Sequence, residues 1–121
     1  MMYADKLPVV KADKTLLSQL FTHLIRNSIK FNQSENPYIH ICSRNDDYHY
    51  RFEVSDNGIG IPKEYREKVF IIFQRLHGRN DFKGAGVGLA FCKKIVDSLN
   101  GRIWIEDSKF GGTKVVFTVP K

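Results

Sequence analysis

Two cysteines are too few to build a disulfide framework. Cys42 and Cys92 do not form the CxxC pairs that bind zinc in small domains. Disulfide-rich secreted proteins and zinc-ribbon proteins are therefore excluded, and a reducing cytoplasm is the expected location. Cys92 lies among apolar residues and is predicted to fill space in the core.

The chain also lacks long apolar runs. A membrane-spanning helix needs about 18 consecutive apolar residues, and no segment approaches that length. The N-terminus does not have the charged and then apolar pattern of a signal peptide. We therefore expect a soluble domain without direct membrane contact. The 121 residues suit a single domain, residues 1–121, of the size expected for a domain cut from a longer protein.

Concentrated basic runs are missing too, although positive charge is in excess. The 19 Lys and Arg residues outnumber the 13 Asp and Glu residues, for a net charge of +6, which suits nucleic acid or a phosphorylated ligand. The basic residues are spread along the chain, and no zinc-finger, helix-turn-helix or RNA-binding signature occurs. Nucleic-acid binding is therefore the least favoured interpretation.

Hydrophobic periodicity predicts both helices and strands. Leu7 to Val10 is a candidate first strand, and Asp13 is placed to cap a helix from Lys14 to about residue 30. The face of this helix that should enter the core carries Leu17, Leu20, Phe21, Leu24, Ile25, Ser28 and Phe31.

The rest of the chain completes an α+β pattern. The predicted elements are a hairpin over 39–55, a short helix over 63–69, a surface loop over 76–87, a helix from Leu89 to a cap at Asn100-Gly101, and a hairpin of strands 103–105 and 113–119. Together they predict a two-layer α/β sandwich, with helices on one face of a mixed, mostly antiparallel sheet.

The stretch from Asp56 to Pro62 has the chemistry of a ligand site. It follows a strand with two-residue alternation, so an acid stands where a strand ends. Gly58 and Gly60 permit positive φ angles and a close approach of the backbone to a ligand. Taken alone, the same residues favour an ordinary turn between a strand and a helix.

Two further features suit phosphate and a metal ion. Gln19, His23, Asn27 and Lys30 form a polar stripe on the first long helix, where an amide oxygen and an ammonium group can meet a metal ion and a phosphate together. Gly84 to Leu89 leads into the second long helix, whose N-terminus would attract an anion. Taken alone, a stripe of this kind is usually solvated surface, and the glycine cluster is neither a Walker A sequence nor a well-placed dinucleotide fingerprint.

In their order and spacing, these motifs resemble the ATP-binding catalytic domain of sensor histidine kinases. That Bergerat-type fold is shared with gyrase, the heat-shock chaperone ATPase and the mismatch-repair ATPase. The resemblance extends from Leu17 to Pro120. The segments similar to the family's N, G1, F and G2 boxes and last glycine motif are, in that order, 19–31, 56–62, 70–75, 84–89 and 111–113. Residues 73–77 and 92–96 are especially similar to kinases attached to bacterial phytochromes.

The resemblance implies a role for each matching residue. Asp56 would accept a hydrogen bond from the adenine amino group, with Thr113 assisting through a water. Asn27 would ligate Mg²⁺, while Lys30 and Arg75 would neutralise phosphate charge, which makes these three the catalytic candidates. The other candidate contacts to ATP are Phe31, Gly58, Gly60, Ile61, Gly84, Gly86, Val87, Gly88 and Leu89.

Two segments carry more specific expectations. His23 stands where the family often has an asparagine, so it is a candidate to contact the metal, to form a hydrogen bond or simply to fill space beside the pocket. Residues 76–87 would form the ATP lid. His77 lies near that lid and does not have the context of the phosphorylated histidine.

The resemblance implies a cytoplasmic, ATP-dependent protein-histidine kinase domain of a two-component system. It would bind ATP and Mg²⁺ and transfer the γ-phosphate to a histidine on a separate dimerisation domain of the same kinase, upstream of a response regulator. None of the chain's histidines has the acceptor's context, so we expect ATP binding without self-phosphorylation. The isolated domain is expected to be a monomer and the full-length protein a homodimer.

Two alternatives remain open at this point. One is a nucleotide-binding module without kinase activity, which the departure at His23 keeps in play. The other is a different ATPase of the same superfold. Such ATPases usually carry a catalytic glutamate one turn before the asparagine of the N box, where this chain has His23.

Overall fold

The computed structural model describes residues 2–4, 13–30, 32–70 and 80–121, with 3, 4 and 80–88 described by their backbone alone. The strands are β1 (Met2–Ala4), β2 (Ile39–Asn45), β3 (His49–Asp56), β4 (Arg102–Asp107) and β5 (Thr113–Pro120). The helices are α1 (Lys14–Lys30) and α2 (Asn80–Ser98), with 3₁₀ turns at Lys63–Tyr65 and Lys68–Phe70. In these segments, no helix has the length and apolar character required to span a bilayer.

The strands form one five-stranded sheet in the order β1-β2-β3-β5-β4. Only β1 pairs in parallel, with β2, and the other three pairings are antiparallel. The predicted hairpins over 39–55 and 103–119 are confirmed as β2–β3 and β4–β5. Because β3 and β5 are neighbours in the middle of the sheet, the C-terminal end of β3 lies beside the N-terminal end of β5.

Both helices pack on one face of the sheet, as predicted. Alternate residues of the central strands, such as Phe52 and Phe117, turn toward the helices and join a continuous apolar core. Phe21 of α1 meets both rings edge-on, at centroid distances of 5.6 and 5.3 Å. Cys92 of α2 is fully buried in this core, as expected, and burial raises the pKa of its thiol to about 12. The thiol therefore stays protonated and unreactive at neutral pH.

The opposite face of the sheet carries paired charges. Glu53 on β3 is buried, with Lys114 Nζ at 3.3 Å and Arg51 Nε at 3.5 Å. Lys114 also lies 3.1 Å from Glu106, whose pKa is lowered first by the hydrogen bond from Trp104 Nε1 and then by these cations. A carboxylate can be buried here because cations on its own strand and on both neighbouring strands, Arg51, Arg44 and Lys114, surround it.

Two predicted elements differ from the structure. The expected short helix over 63–69 consists instead of two 3₁₀ turns, closed by bonds such as Tyr65 N to Pro62 O at 2.9 Å. A segment this short cannot recover the cost of nucleating an α-helix. The candidate strand Leu7 to Val10 lies outside the described residues, whereas Met2–Ala4 forms a strand that three residues were too few to predict.

The second long helix begins earlier than expected. The predicted loop over 76–87 is wrong for residues 80–87, because α2 starts at Asn80 rather than near Leu89. Each glycine in this stretch disfavours helix by only about 1 kcal/mol, which neighbouring turns can offset. Asn80 and Asp81 are residue types favoured at a helix N-terminus, and that signal was available in the sequence.

The predicted helix caps are confirmed. Asp13 Oδ1 accepts a bond from Leu16 N at 3.0 Å at the start of α1. At the end of α2, Asn100 takes the left-handed conformation with φ of 61°, and Gly101 N donates to Val96 O at 2.9 Å. This is a Schellman motif with asparagine in place of the usual glycine. Gly101 is needed for another reason, since a Cβ there would lie 1.8 Å from Thr118 O.

We expect Gly101→Ala to lower the free energy of unfolding by about 2–3 kcal/mol, because the added methyl group overlaps the backbone of β5. Asn100→Gly is the matched control, and it should stay within about 0.5 kcal/mol of the parent because glycine is well accommodated at this position. Denaturant unfolding of both variants measures the difference. Equal stability of the two variants would contradict the close packing of Gly101 against β5.

Candidate functional site

Asp56 stands at the C-terminal end of the central strand β3 and is buried, with 5% of its surface exposed. Its Oδ1 accepts two backbone hydrogen bonds, from Gly58 N and from Thr113 N, both at 2.9 Å. Among the described residues, none donates to Oδ2. The carboxylate is therefore held in one orientation by its first oxygen, and its second oxygen can accept a bond from a ligand.

The turn between β4 and β5 is also bonded to Asp56. Ser108 donates its hydroxyl hydrogen to Asp56 O at 2.7 Å and accepts a bond from Phe110 N at 3.1 Å. Ser108 was not predicted as a site residue, because a serine shortly before a glycine pair is ordinary turn composition. The result is that the turn and the end of β3 form one hydrogen-bonded unit.

Glycines allow the two turns to approach each other. Gly60 has a φ of 76°, in the left-handed region that favours glycine. Gly58 does not have a positive φ, and its backbone N–H donates to Asp56 Oδ1 instead. A Cβ on Gly112 would lie 2.2 Å from Asp56 Oδ1 and 2.4 Å from Gly58 N. Gly112 therefore leaves the space in which the Asp56 carboxylate is held.

Ile61 follows these glycines and is buried in the core, as is Leu89 of α2. Arg66 Nε donates to Ile61 O at 3.0 Å, and the same guanidinium pairs with Asp107 at the end of β4. The hydrogen bond and charge of Arg66 lower the pKa of the Asp107 carboxyl. The loop that carries Ile61 is thus held to the edge of the sheet.

The predicted polar stripe lies along α1. Asn27 and His23 are half-buried, while Gln19 and Lys30 are exposed. The ring of His23 packs against the ring of Phe91 on α2, with centroids 4.7 Å apart. Of the three roles considered for His23, this contact supports space filling, and metal contact stays a prediction.

Metal ligation at this stripe would depend on Asn27. Its amide oxygen is a ligand type that Mg²⁺ accepts together with phosphate oxygens and water. In the part of the chain that the structure describes, no group of three or more His, Cys, Asp or Glu side chains could hold a metal ion. Ligation of Mg²⁺ by Asn27 stays a prediction.

Comparison with known proteins identifies the family of this chain. Residues 12–121 match the family described as histidine kinase-, DNA gyrase B-, and HSP90-like ATPase. The chain belongs to this family. It is 47% identical over 116 residues to cyanobacterial phytochrome A of Nostoc sp. (strain PCC 7120), and 44% identical over 114 residues to the phytochrome-like protein Cph1 of Synechocystis sp. (strain PCC 6803). These matches cover 96% and 94% of this chain but 15% of each relative.

Solved structures agree with this family. The nucleotide-free catalytic domain of histidine kinase ThkA is similar with a TM-score of 0.80 and 34% identity, over 99% of this chain and 78% of that chain. ThkA in complex with the response regulator protein TrrA is similar with a TM-score of 0.77 and 31% identity, over 99% of this chain and 33% of that chain. The expected histidine-kinase ATPase fold and the expected likeness to phytochrome-type kinases are both confirmed.

Several residues expected in this ATPase site remain predictions. Phe31 and Arg75 lie outside the described residues, as does His77. The segment 84–88 is described by its backbone, which is helical. Only the first four N–H groups of a helix lack partners within it, so those of 84–88 bond inside α2 in this conformation. A phosphate cradle formed by these groups would require the first turns of α2 to unwind.

Gly112→Ala should disrupt the carboxylate arrangement of this ATPase domain, because the new Cβ would overlap Asp56 Oδ1. We expect the amide NMR signals of Gly58 and Thr113 to shift strongly. Gly111→Ala is the control next to it, since no atom of the described residues, its two chain neighbours aside, lies within 4 Å of its Cβ position. Its φ of 94° makes it cost about 1–2 kcal/mol of stability, while the Gly58 and Thr113 signals should remain. Similar shifts in both variants would contradict the role given to Gly112.

Proposed function

We propose that this chain binds ATP together with Mg²⁺ and donates the γ-phosphate to a histidine on a separate dimerisation domain in two-component signalling. The observation that carries the proposal is the Asp56 carboxylate, buried and held through Oδ1 by two amides at 2.9 Å. It lies in a member of the histidine kinase-like ATPase family. A fixed acceptor with one oxygen available suits a purine that offers a hydrogen-bond donor.

Asp56 would select adenine through the amino group of the base. The carboxylate accepts hydrogen bonds only, and its bonds to Gly58 and Thr113 prevent it from turning away. The amino group of adenine donates to it, whereas the carbonyl oxygen of guanine at the same position would repel it. The Thr113 side chain would assist through a water, and Gly60, Ile61 and Leu89 would line the base pocket.

Asn27, Lys30 and Arg75 would act on the phosphates. Phosphoryl transfer depends on charge neutralisation and in-line placement of the acceptor more than on covalent chemistry by the protein. Bound Mg²⁺ would supply further neutralisation of phosphate charge, held in part by the Asn27 amide oxygen. The segment 76–87 would act as the lid, and the amides of 84–89 would contact phosphate once the start of α2 has unwound.

The partners follow from the same proposal. The chain spans about 15% of the length of the first phytochrome relatives. We propose that it is likewise part of a longer kinase, and that the acceptor domain belongs to that longer protein. One similar kinase, ThkA, has been solved in complex with the response regulator protein TrrA. We extend that class of downstream partner to this chain and place the process in the cytoplasm, with a homodimeric full-length kinase.

Nucleotide binding without transfer is the second candidate function. The observation that favours it is the packing of His23 on Phe91 at 4.7 Å, at the position where related kinases often carry asparagine. The His23 ring packs on Phe91, and no described residue forms a hydrogen bond that would direct this ring toward the proposed metal site. Hydrolysis by this domain alone is a weaker candidate, since His23 replaces the glutamate typical of those ATPases.

Calorimetry with a non-hydrolysable ATP analogue and Mg²⁺ tests the adenine site. We expect Asp56→Asn to weaken binding at least about tenfold, because either orientation of the new amide presents a donor where an acceptor is required. Asp46→Asn is a matched control, since Asp46 Oδ1 also accepts two backbone bonds, from Tyr48 N at 2.8 Å and His49 N at 2.6 Å, at the other end of β3.

The native chain also provides an internal comparison. It should bind the adenine analogue more tightly than the guanine analogue, and Asp56→Asn should reduce that preference. An absence of binding by the native chain at millimolar ATP analogue with Mg²⁺ would show that the proposed site is wrong.

Phosphotransfer is tested by adding the dimerisation domain of the longer kinase in trans. Labelled ATP should then yield phosphohistidine on that domain and no label on this chain. Asn27→Ala should slow the transfer at least about a hundredfold through loss of the metal contact, whereas Gln19→Ala, in the exposed part of the same stripe, should be neutral. Nucleotide binding without any phosphohistidine would favour the second candidate function, and label on the isolated chain would contradict the assignment of the acceptor.

A further inference from the structure

Asn57 is the residue after Asp56, and its side chain is bonded entirely to the segment 32–38. Its Oδ1 accepts bonds from Asn32 Nδ2 at 2.7 Å and from Tyr38 N at 2.8 Å. Its Nδ2 donates to Asn36 O at 3.0 Å, and its backbone N–H donates to Tyr38 O at 3.3 Å. Asn57 therefore connects the turn after β3 to both ends of the loop between α1 and β2.

Asn32 joins this connection to the end of α1. Its backbone N–H donates to Ile29 O at 3.3 Å, which closes the last turn of the helix. Its Oδ1 accepts bonds from Ser34 N at 3.0 Å and Ser34 Oγ at 2.7 Å, so its amide is held with the nitrogen directed at Asn57. A continuous chain of hydrogen bonds thus runs from the last turn of α1 to the residue that follows Asp56.

Apolar packing gives that last turn little support. Of residues 27–30, only Ser28 is buried, and its side chain is small. Ile29 is 60% exposed, Lys30 is exposed and Asn27 is half-buried. Leu24, one turn earlier, is the last large side chain of α1 that is fully buried. The position of Asn27 and Lys30 relative to Asp56 therefore depends on hydrogen bonds more than on core contacts.

The chemistry of this connection requires an asparagine at position 57. The side chain must accept two bonds and donate one at the same time, and an amide can do both. An aspartate would lose the donor to Asn36 O, and an aliphatic residue would leave Tyr38 N and Asn32 Nδ2 without their acceptor. The pattern gives Asn57 a function distinct from the general preference for asparagine in turns.

We propose that Asn57 is a positioning residue that sets the last turn of α1, with Asn27 and Lys30, against the carboxylate of Asp56. This inference rests on the proposed function, in which Asp56 contacts the base and the α1 residues contact metal and phosphate. Asn57 touches neither ligand part itself. It acts through Asn32 and the segment 32–38. In this way it sets the distance between the base site at Asp56 and the phosphate site on α1 to suit one nucleotide.

Asn57→Ala in the full chain tests the proposal by comparing two ligands. Affinity for a non-hydrolysable ATP analogue with Mg²⁺ should fall about tenfold, the equivalent of one or two lost hydrogen bonds. Affinity for adenosine, which engages Asp56 without the α1 residues, should change less than about twofold, well under one hydrogen bond. A general loss of stability would lower both affinities together, so this split separates positioning from a purely structural effect.

Two further variants make the comparison sharper. Asn36→Ala is the matched control, because it lies in the same loop and keeps the backbone carbonyl that accepts the Asn57 bond. It should leave both affinities unchanged. Asn32→Ala removes the link from the other end and should reproduce the selective loss. Because the two residues share one connection, the double variant with Asn57→Ala should bind the analogue within about twofold of Asn57→Ala alone.

Hydrogen exchange without any nucleotide tests the structural part of the proposal, that Asn57 holds the last turn of α1. The backbone amides of Ile29, Lys30 and Asn32 should exchange faster in Asn57→Ala, and they should be unchanged in Asn36→Ala. Unchanged exchange in Asn57→Ala overturns the proposal, as does an equal loss of adenosine and analogue affinity or no loss at all. If the native chain binds neither ligand, the proposed function fails, and the exchange experiment still decides whether Asn57 holds the last turn of α1.

Discussion

Two hydrogen bonds from backbone N–H groups to Asp56 Oδ1 connect the end of β3 to the turns on either side of the candidate site. A buried carboxylate without partners would be strongly destabilising, so these bonds are required for folding as well as for orientation. One comes from the turn that follows Asp56 and the other from Thr113 at the start of β5. Gly112 has no side chain where the carboxylate lies. The fold and the proposed recognition of adenine therefore depend on the same two hydrogen bonds.

The site is assembled from parts of the chain that differ in how they are held. The proposed adenine end is formed by the two central strands and their turns, which are joined by backbone hydrogen bonds and by Ser108. The proposed phosphate end lies on the helices, where Asn27 is half-buried and the start of α2 is helical through the glycine-rich segment. In the proposed function, a rigid base site next to more adjustable phosphate contacts would suit a lid that opens for product to leave.

Regular elements were largely predictable from the sequence, because their cause is local. The period of Leu17, Leu20 and Leu24 marks α1, and alternation along β3 marks a half-buried strand. The segment 80–87 was not predictable in this way, since its two glycines, Gly84 and Gly86, outweighed the favourable Asn80-Asp81 start in a purely local estimate. The candidate site followed from the order of motifs, but the bonds made by Ser108 and Asn57 depend on residues far apart in the chain, which no local pattern reveals.

The hydrogen bonds of Asn57 also bear on deamidation, the slow loss of ammonia from an asparagine side chain. An asparagine followed by glycine is the dipeptide most prone to deamidation, because the glycine nitrogen can attack the side-chain carbonyl carbon and expel ammonia. In this chain the Gly58 nitrogen is engaged with Asp56, and the Asn57 amide is held on both its oxygen and its nitrogen. These hydrogen bonds oppose both the deprotonation of the Gly58 N–H and the rotation of the Asn57 side chain that the attack needs, so we expect deamidation of this dipeptide to be slower in the folded domain than in the unfolded chain.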